Sequence, residues 1–391
     1  MQQQQRRLFK TSLLSVSLIN MSGPAVAAAI PLMAQAFPQR TLADIELTVS
    51  VTNFGILLLV ILAPFFVRRF GDKKTVIAGL LLALVAGCMP IFSNSYWLLL
   101  SSRFALGCGI GLFNSLSYSL ICQYFSGDER STLLGFQGAV SAFGSALMTL
   151  LISVLIHYGW HSVFIIYFMA LIPLILFSIH IPATCNAPQA DAVATTWRIN
   201  WRIPAYALYL FYIFAGYMIL IFKLATVMTF IGYGDAAWAS LLITLSTVIS
   251  FPGGLLFGKA SKKLGPAILP LSLLVIGIAL ILLTLSSSLA LTAILILAAG
   301  FVFAFIIPHF FNCAAAISTP ATQTVASSIL LIGINFGVFL HPWIIRMIQA
   351  QGSRSDLLFP INVYGWLFIA TALLHAGYLA NRYLKGVKNY A

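Results

Sequence analysis

Residues 264–345 read LGPAILPLSLLVIGIALILLTLSSSLALTAILILAAGFVFAFIIPHFFNCAAAISTPATQTVASSILLIGINFGVFLHPWII, 82 positions without one Asp, Glu, Lys or Arg. A second bare run, of 60 residues, lies between Arg130 and Asp191. Roughly a quarter of a soluble domain is charged; here 7% of 391 residues are, against 61% hydrophobic. A helix that crosses a bilayer needs about 20 mostly apolar residues. The two bare runs therefore read as strings of membrane spans separated by short turns. The same figures exclude collagen, a disordered tail and a disulfide-stapled secreted domain.

Over the whole chain, cuts at charges, Gly/Pro clusters and polar turns predict twelve spans. The first six cover 12–36, 45–67, 75–93, 96–124, 131–156 and 162–182, and the second six 204–231, 236–258, 266–286, 289–316, 324–346 and 364–383. The run after Arg6-Arg7 is longer than the about 7–15 apolar residues of a signal peptide and is read as the first span. The predicted fold is an all-α membrane protein with two pseudo-symmetric six-helix halves, 1–182 and 203–391, joined by a polar linker at 183–202.

The formal charge of +13 would suit nucleic acid if Lys and Arg gathered on one solvated face. They sit instead in short clusters between apolar runs. With the N-terminus inside, sixteen basic residues fall in cytoplasmic segments and three (Arg40, Arg346, Arg354) outside, so the positive-inside rule puts both termini in the cytoplasm. Five cysteines show neither CxxC spacing nor an even framework, and no disulfide, metal site or cofactor is expected.

The halves repeat short motifs. Arg68-Arg69-Phe70-Gly71 follows span 2, and Lys262-Lys263-Leu264-Gly265 follows span 8; Tyr158-Gly159-Trp160 leads into span 6, and Tyr364-Gly365-Trp366 opens span 12. Two parallel halves with a cytoplasmic linker resemble the major facilitator superfamily of secondary transporters, in which substrate binds near the midplane between the halves. That family's loop between spans 2 and 3 usually reads Gly-x-x-x-Asp-Arg-x-Gly-Arg/Lys-Arg/Lys. The aligned run here begins at Pro64, puts Arg68 where the family has Asp, keeps Arg69, Gly71 and Lys73, and adds an acid at Asp72. Arg103-x-x-x-Gly107 fits the family's span 4, while the Gly-Pro pattern of its antiporters is missing near Gly135, Gly138 and Gly144. The resemblance implies alternating access and a twelve-span carrier similar to drug and metabolite efflux members.

Polar groups within spans are expensive in hydrocarbon and mark wet cavities or internal pairs. Arg103, Gly107, Asn114, Ser117 and Tyr118 share one face of span 4 at about 100° per residue; Arg103 either faces a water-filled cavity or serves as a strut within the bundle. Lys223 shares a face of span 7 with Tyr209, Tyr212, Gly216 and Thr226, and either reaches the cavity or snorkels to the interface. In span 10, Pro308 precedes His309 and Asn312; the histidine binds solute, takes a proton or simply packs. None of the eight acids sits mid-span, Glu46 coming closest. The expected substrate is thus a small organic solute, anionic or zwitterionic and amphipathic, contacted by Arg103, Asn114, Tyr118, Tyr212, Lys223, His309 and Asn312. Glu46 or His309 would couple protons to its efflux; uptake or facilitated passage of an organic anion is the alternative. Arg68, Arg69, Asp72, Asp128, Glu129 and Arg130 form a candidate cytoplasmic gate or, on the plainer reading, a solvated set of loop charges. Gly107/Gly111 and Gly333/Gly337 are GxxxG pairs suited to close helix contact. No span supplies the acid, base or metal cluster of an embedded enzyme, and no phosphate-binding Gly-rich loop with Lys-Ser/Thr is present. The expected partners are the solute, protons and the lipid bilayer, not nucleic acid, for a monomer in a bacterial plasma membrane.

Overall fold

The computed structural model describes residues 3–20, 26–40, 42–181, 200–234, 236–319, 322–351 and 358–384, and all regular structure among them is helical. Helix α1 (Gln3–Ser15) passes into a 3-10 turn at Val16–Ile19, and another at Val26–Ala29 leads into α2 (Ile30–Ala36). Then come α3 (Leu42–Phe70), α4 (Asp72–Cys88), α5 (Tyr96–Tyr124) and α6 (Gly127–Leu155). A 3-10 segment at Ser162–Ala170 continues as α7 (Leu171–His180). The remainder is α8 (Arg202–Ile231), α9 (Ala236–Leu264), α10 (Ile268–Leu285), α11 (Leu289–Phe303), α12 (Ile306–Ile317), α13 (Gln323–Gln349) and α14 (Phe359–Leu384). Of the predicted linker 183–202, all but the last three residues lie outside the described ones.

Ten stretches among the described residues are long and apolar enough to cross a membrane, where the sequence predicts twelve spans. One of the ten, Leu241–Leu285, is 45 residues long and holds most of α9 and all of α10, parted by the 3-10 turn Gly265–Ala267. The predicted first span is not among the ten; α1 and α2 are 13 and 7 residues long, and positions 21–25 lie outside the described residues.

The repeated basic motifs are helix stops. Arg68 and Arg69 occupy the last turn of α3, and Lys262 and Lys263 that of α9, where cations complement the negative end of the helix dipole. The glycine after each pair takes positive φ, 81° at Gly71 and 53° at Gly265, a conformation that costs glycine no steric penalty. Proline acts unevenly. Pro64, Pro252 and Pro342 lie inside continuous helices, whereas the chain turns at Ala304 and Phe305, just before Pro308, and splits α11 from α12. Proline has no N–H to bond to the carbonyl four residues back.

The chain forms two compact units. Unit 1 comprises Met1–Tyr124, Val140–Asn200 and Ser318–Ile332; unit 2 comprises Phe125–Ala139, Trp201–Ile317 and Gly333–Ala391. Helices α6 and α13 thus give one end to each. In unit 1, α3 lies against α5 backbone to backbone: a Cβ on Gly107 would strike the Thr52 carbonyl oxygen, and one on Gly111 would come 2.6 Å from that of Ile56. In unit 2, a Cβ on Gly333 would strike the Ala207 carbonyl oxygen of α8, and one on Gly337 would come 2.6 Å from that of Phe211. Small residues permit such contact, and dispersion between closely packed helices rewards it.

Candidate functional site

The tightest polar junction of unit 2 gathers the first turns of α6, the end of α9 and the middle of α12. Arg130 Nε donates to Asn312 Oδ1 at 2.8 Å, and Asn312 Nδ2 donates to Ser131 Oγ at 2.9 Å. Asp128 pairs with Lys262 at 3.0 Å, both side chains being about two-thirds exposed or more, 68% and 73%. Below them glycines remove the side chains that would hold α6 and α9 apart. A Cβ on Gly254 would lie 2.7 Å from the Gly135 carbonyl oxygen and 2.8 Å from Ala139 N, and a Cβ on Gly258 would strike Thr132. The magnitudes rank these contacts. A hydrogen bond to a charged group contributes about 1.5–3 kcal/mol, and an exposed ion pair about 0–1. Arg130–Asn312 and the glycine contact hold this junction; Asp128–Lys262 decorates it.

A second junction, in unit 1, joins α5 to the first turns of α13. Ser119 and Thr324 share a 3.0 Å hydrogen bond between hydroxyls, and Gln123 Nε2 donates to Ser119 Oγ at 3.1 Å. Ser115 lies one turn before Ser119, and Ser327 and Ser328 one turn after Thr324, on the same faces. All three are buried, as is Gln323, yet Ser115 Oγ, Ser327 Oγ, Ser328 Oγ and Gln323 Nε2 have no hydrogen-bond partner among the described residues.

Arg103 lies within unit 1. It is 1% exposed and the largest fully buried side chain among the described residues. Nη1 donates to the Tyr167 hydroxyl at 2.9 Å, and Cζ stands 4.9 Å and 4.7 Å from the ring centres of Phe164 and Tyr167. Its long side chain crosses to the 3-10 segment and is enclosed there. The face of α8 that carries Tyr209, Tyr212 and Gly216 also turns inward. Tyr212 Oη lies 3.1 Å from Thr371 Oγ1 of α14, its ring packs against Tyr364 and Phe368, and a Cβ on Gly216 would meet those same two rings. Lys223, two turns on, is half-buried.

The remaining predicted residues are scattered. Asn114 is half-buried, and Tyr118, one turn along α5, is buried. His309 Nε2 lies 3.7 Å from Cys313 Sγ on α12. Arg68 and Arg69 are exposed, Asp72 is buried and Glu129 half-buried. The side chain of Glu46 lies outside the described residues. Of the predicted set, Arg130 and Asn312 are brought together across 182 positions. Sequence reasoning missed Tyr167, Ser131 and the polar turns of α13. Lys262 was within reach, because it belongs to the repeated basic motif; Tyr167 sits in an apolar run with no spacing that announces it.

The family model described as Major Facilitator Superfamily matches residues 12–342. A methylenomycin A resistance protein of Bacillus subtilis (strain 168) is 30% identical over 139 residues, 35% of this chain and only 26% of that protein. Among solved structures, the proton:xylose symporter XylE superposes with a TM-score of 0.71 at 17% identity, covering 94% of each chain. The human organic anion transporter MFSD10 superposes with a TM-score of 0.71 at 15% identity, covering 95% of this chain and 99% of its own.

Proposed function

The chain belongs to the Major Facilitator Superfamily, and from that membership we propose that it is a secondary carrier exporting a small anionic or zwitterionic, amphipathic solute in exchange for protons. Twelve spans in two halves, 1–182 and 203–391, would alternate access around the solute, with both termini cytoplasmic in a bacterial plasma membrane. The observation that carries the reading is the junction of Arg130, Asn312 and Ser131 over the Gly135–Gly254 contact. It lies beside the basic end of α9, the end that the positive-inside rule assigns to the cytoplasm, and so has the position of an inner gate. Asp128 and Lys262 flank it, with Glu129 in the same turn of α6.

The solute's class is argued from charge. Twenty-one basic residues stand against eight acidic ones, and none of the acids sits mid-span; Asn114, Tyr118, Lys223 and His309 are the polar groups assigned to the solute. His309, or Glu46 near the other face, is assigned the proton. Efflux is favoured by the resistance protein among the relatives; XylE and MFSD10, at 17% and 15% identity, guide only what to test. The test is reconstitution in proteoliposomes with an imposed pH gradient and a panel of carboxylates, zwitterions and amines. Gradient-driven movement of an acid or zwitterion, abolished by a protonophore, is the expected result. Movement of amines alone, or flux indifferent to the protonophore, overturns the assignment.

A further inference from the structure

Arg103 carries a charge that no acidic side chain balances among the described residues, and it does so at 1% exposure. One nitrogen, Nη1, is held by the Tyr167 hydroxyl. The other two, Nε and Nη2, have no hydrogen-bond partner among the described residues. These two form the side-on fork of a guanidinium, whose parallel N–H groups match the two oxygens of a carboxylate. The faces of Phe164 and Tyr167 offset part of the burial, but leave the fork unsatisfied.

A second, independent feature lies at the same place. Both rings ride on Ser162–Ala170, nine residues of 3-10 helix, where runs beyond about 3–4 residues are uncommon and often mark a hinge. A 3-10 helix turns about 120° per residue and an α-helix about 100°. Rewinding the segment onto α7 would therefore swing Tyr167 by about 80° relative to Leu171 and shorten the segment by about 0.5 Å per residue. Gly159, at φ 101° just before it, supplies a backbone joint.

We propose that Arg103 and this 3-10 segment form a gated oxyanion site in unit 1. The Nε/Nη2 fork takes the planar carboxylate of the carried solute, Tyr167 holds the guanidinium, and winding of Ser162–Ala170 admits the ligand. The proposal rests on the carrier reading and names the solute's class. An inorganic oxyanion offers the fork the same chemistry, so the test separates the two sources.

The experiment uses the purified full chain and its variants Arg103→Lys, Arg103→Gln and Tyr167→Phe. Binding of benzoate, its neutral amide benzamide, and nitrate is measured by calorimetry and by the thermal unfolding midpoint. Benzoate should raise the wild-type midpoint by several degrees while benzamide leaves it unchanged. Arg103→Lys keeps the charge and loses the fork, so its benzoate affinity should fall at least tenfold; Tyr167→Phe should bind a few-fold more weakly. Equal benzoate binding in wild type and Arg103→Lys overturns the site, whether or not Arg103→Gln folds. So does a wild type that binds neither anion, and a wild type that binds nitrate but not benzoate removes the solute from it. Proton-driven transport of a solute without a carboxylate would overturn this proposal and leave the carrier standing, whereas failure of all transport bears on the carrier alone.

Discussion

The two helices that serve both units make different joints. At the start of α6, bare backbones touch at Gly135 and Gly254, and each polar group of Asn312's side chain has a partner. At the start of α13, hydroxyls and an amide are packed away with one hydroxyl–hydroxyl bond and several unmet donors and acceptors. The first joint gains from contact and from a charge-assisted bond. The second forfeits about 1–3 kcal/mol for each buried group left without a partner. Water entering the second joint would satisfy those groups; water entering the first would have to displace a good bond. The α13 joint is accordingly expected to part more readily than the α6 joint.

Substitutions test this contrast. The largest effect is expected from Gly254→Leu, because even a Cβ there meets the Gly135 carbonyl oxygen at 2.7 Å and a larger side chain must part α6 from α9. Transport should fall more than about tenfold, about 1.4 kcal/mol or more, and a cysteine pair spanning α6 and α9 should lose its cross-link. A retained cross-link would remove the glycine contact from the gate. Arg130→Ala comes next, costing about 1.5–3 kcal/mol for the bond to Asn312; denaturant titration in detergent should register the loss, and Arg130→Lys should recover only part of it.

The third prediction has the opposite sign. Ser327→Ala and Ser328→Ala each remove a buried hydroxyl without a partner and should stabilise the described conformation by about 1 kcal/mol, slowing turnover while the unfolding midpoint rises. A drop in that midpoint would mean that these hydroxyls are bonded after all. Lys262→Ala should be the mildest, within about 1 kcal/mol, since its ion pair with Asp128 is open to solvent and screened by salt; a large loss would promote that pair to a principal latch.

Local features were legible in the sequence because their causes are local. Charge-free runs announced helices, and the spacing of Gly107 and Gly111, or Gly333 and Gly337, announced close helix contact; the basic pairs, expected in the loops after spans ending at 67 and 258, lie instead in the last turns of α3 and α9. Periodicity could put Arg103 on a face of α5, but not say what that face meets. The answer depends on Tyr167, 64 positions away, and on a segment wound as 3-10 helix that no composition rule foretells. Asn312 reads as a solute ligand from its neighbourhood to Pro308, and its hydrogen bonds go to Arg130 and Ser131 because α6 begins against α12 in the folded chain. The polar turns of α13 escaped notice since serine and threonine are common in membrane helices and bond to their own backbone when exposed.

The sharing of α13 also bears on how the molecule is made. Unit 1 begins at Met1 but includes Ser318–Ile332, so its packing cannot be completed until that late segment has emerged from the ribosome and entered the bilayer. Until then the serines of α5 lack their partners on α13, and mutations in α13 that delay its insertion would expose a surface laid down some two hundred residues earlier.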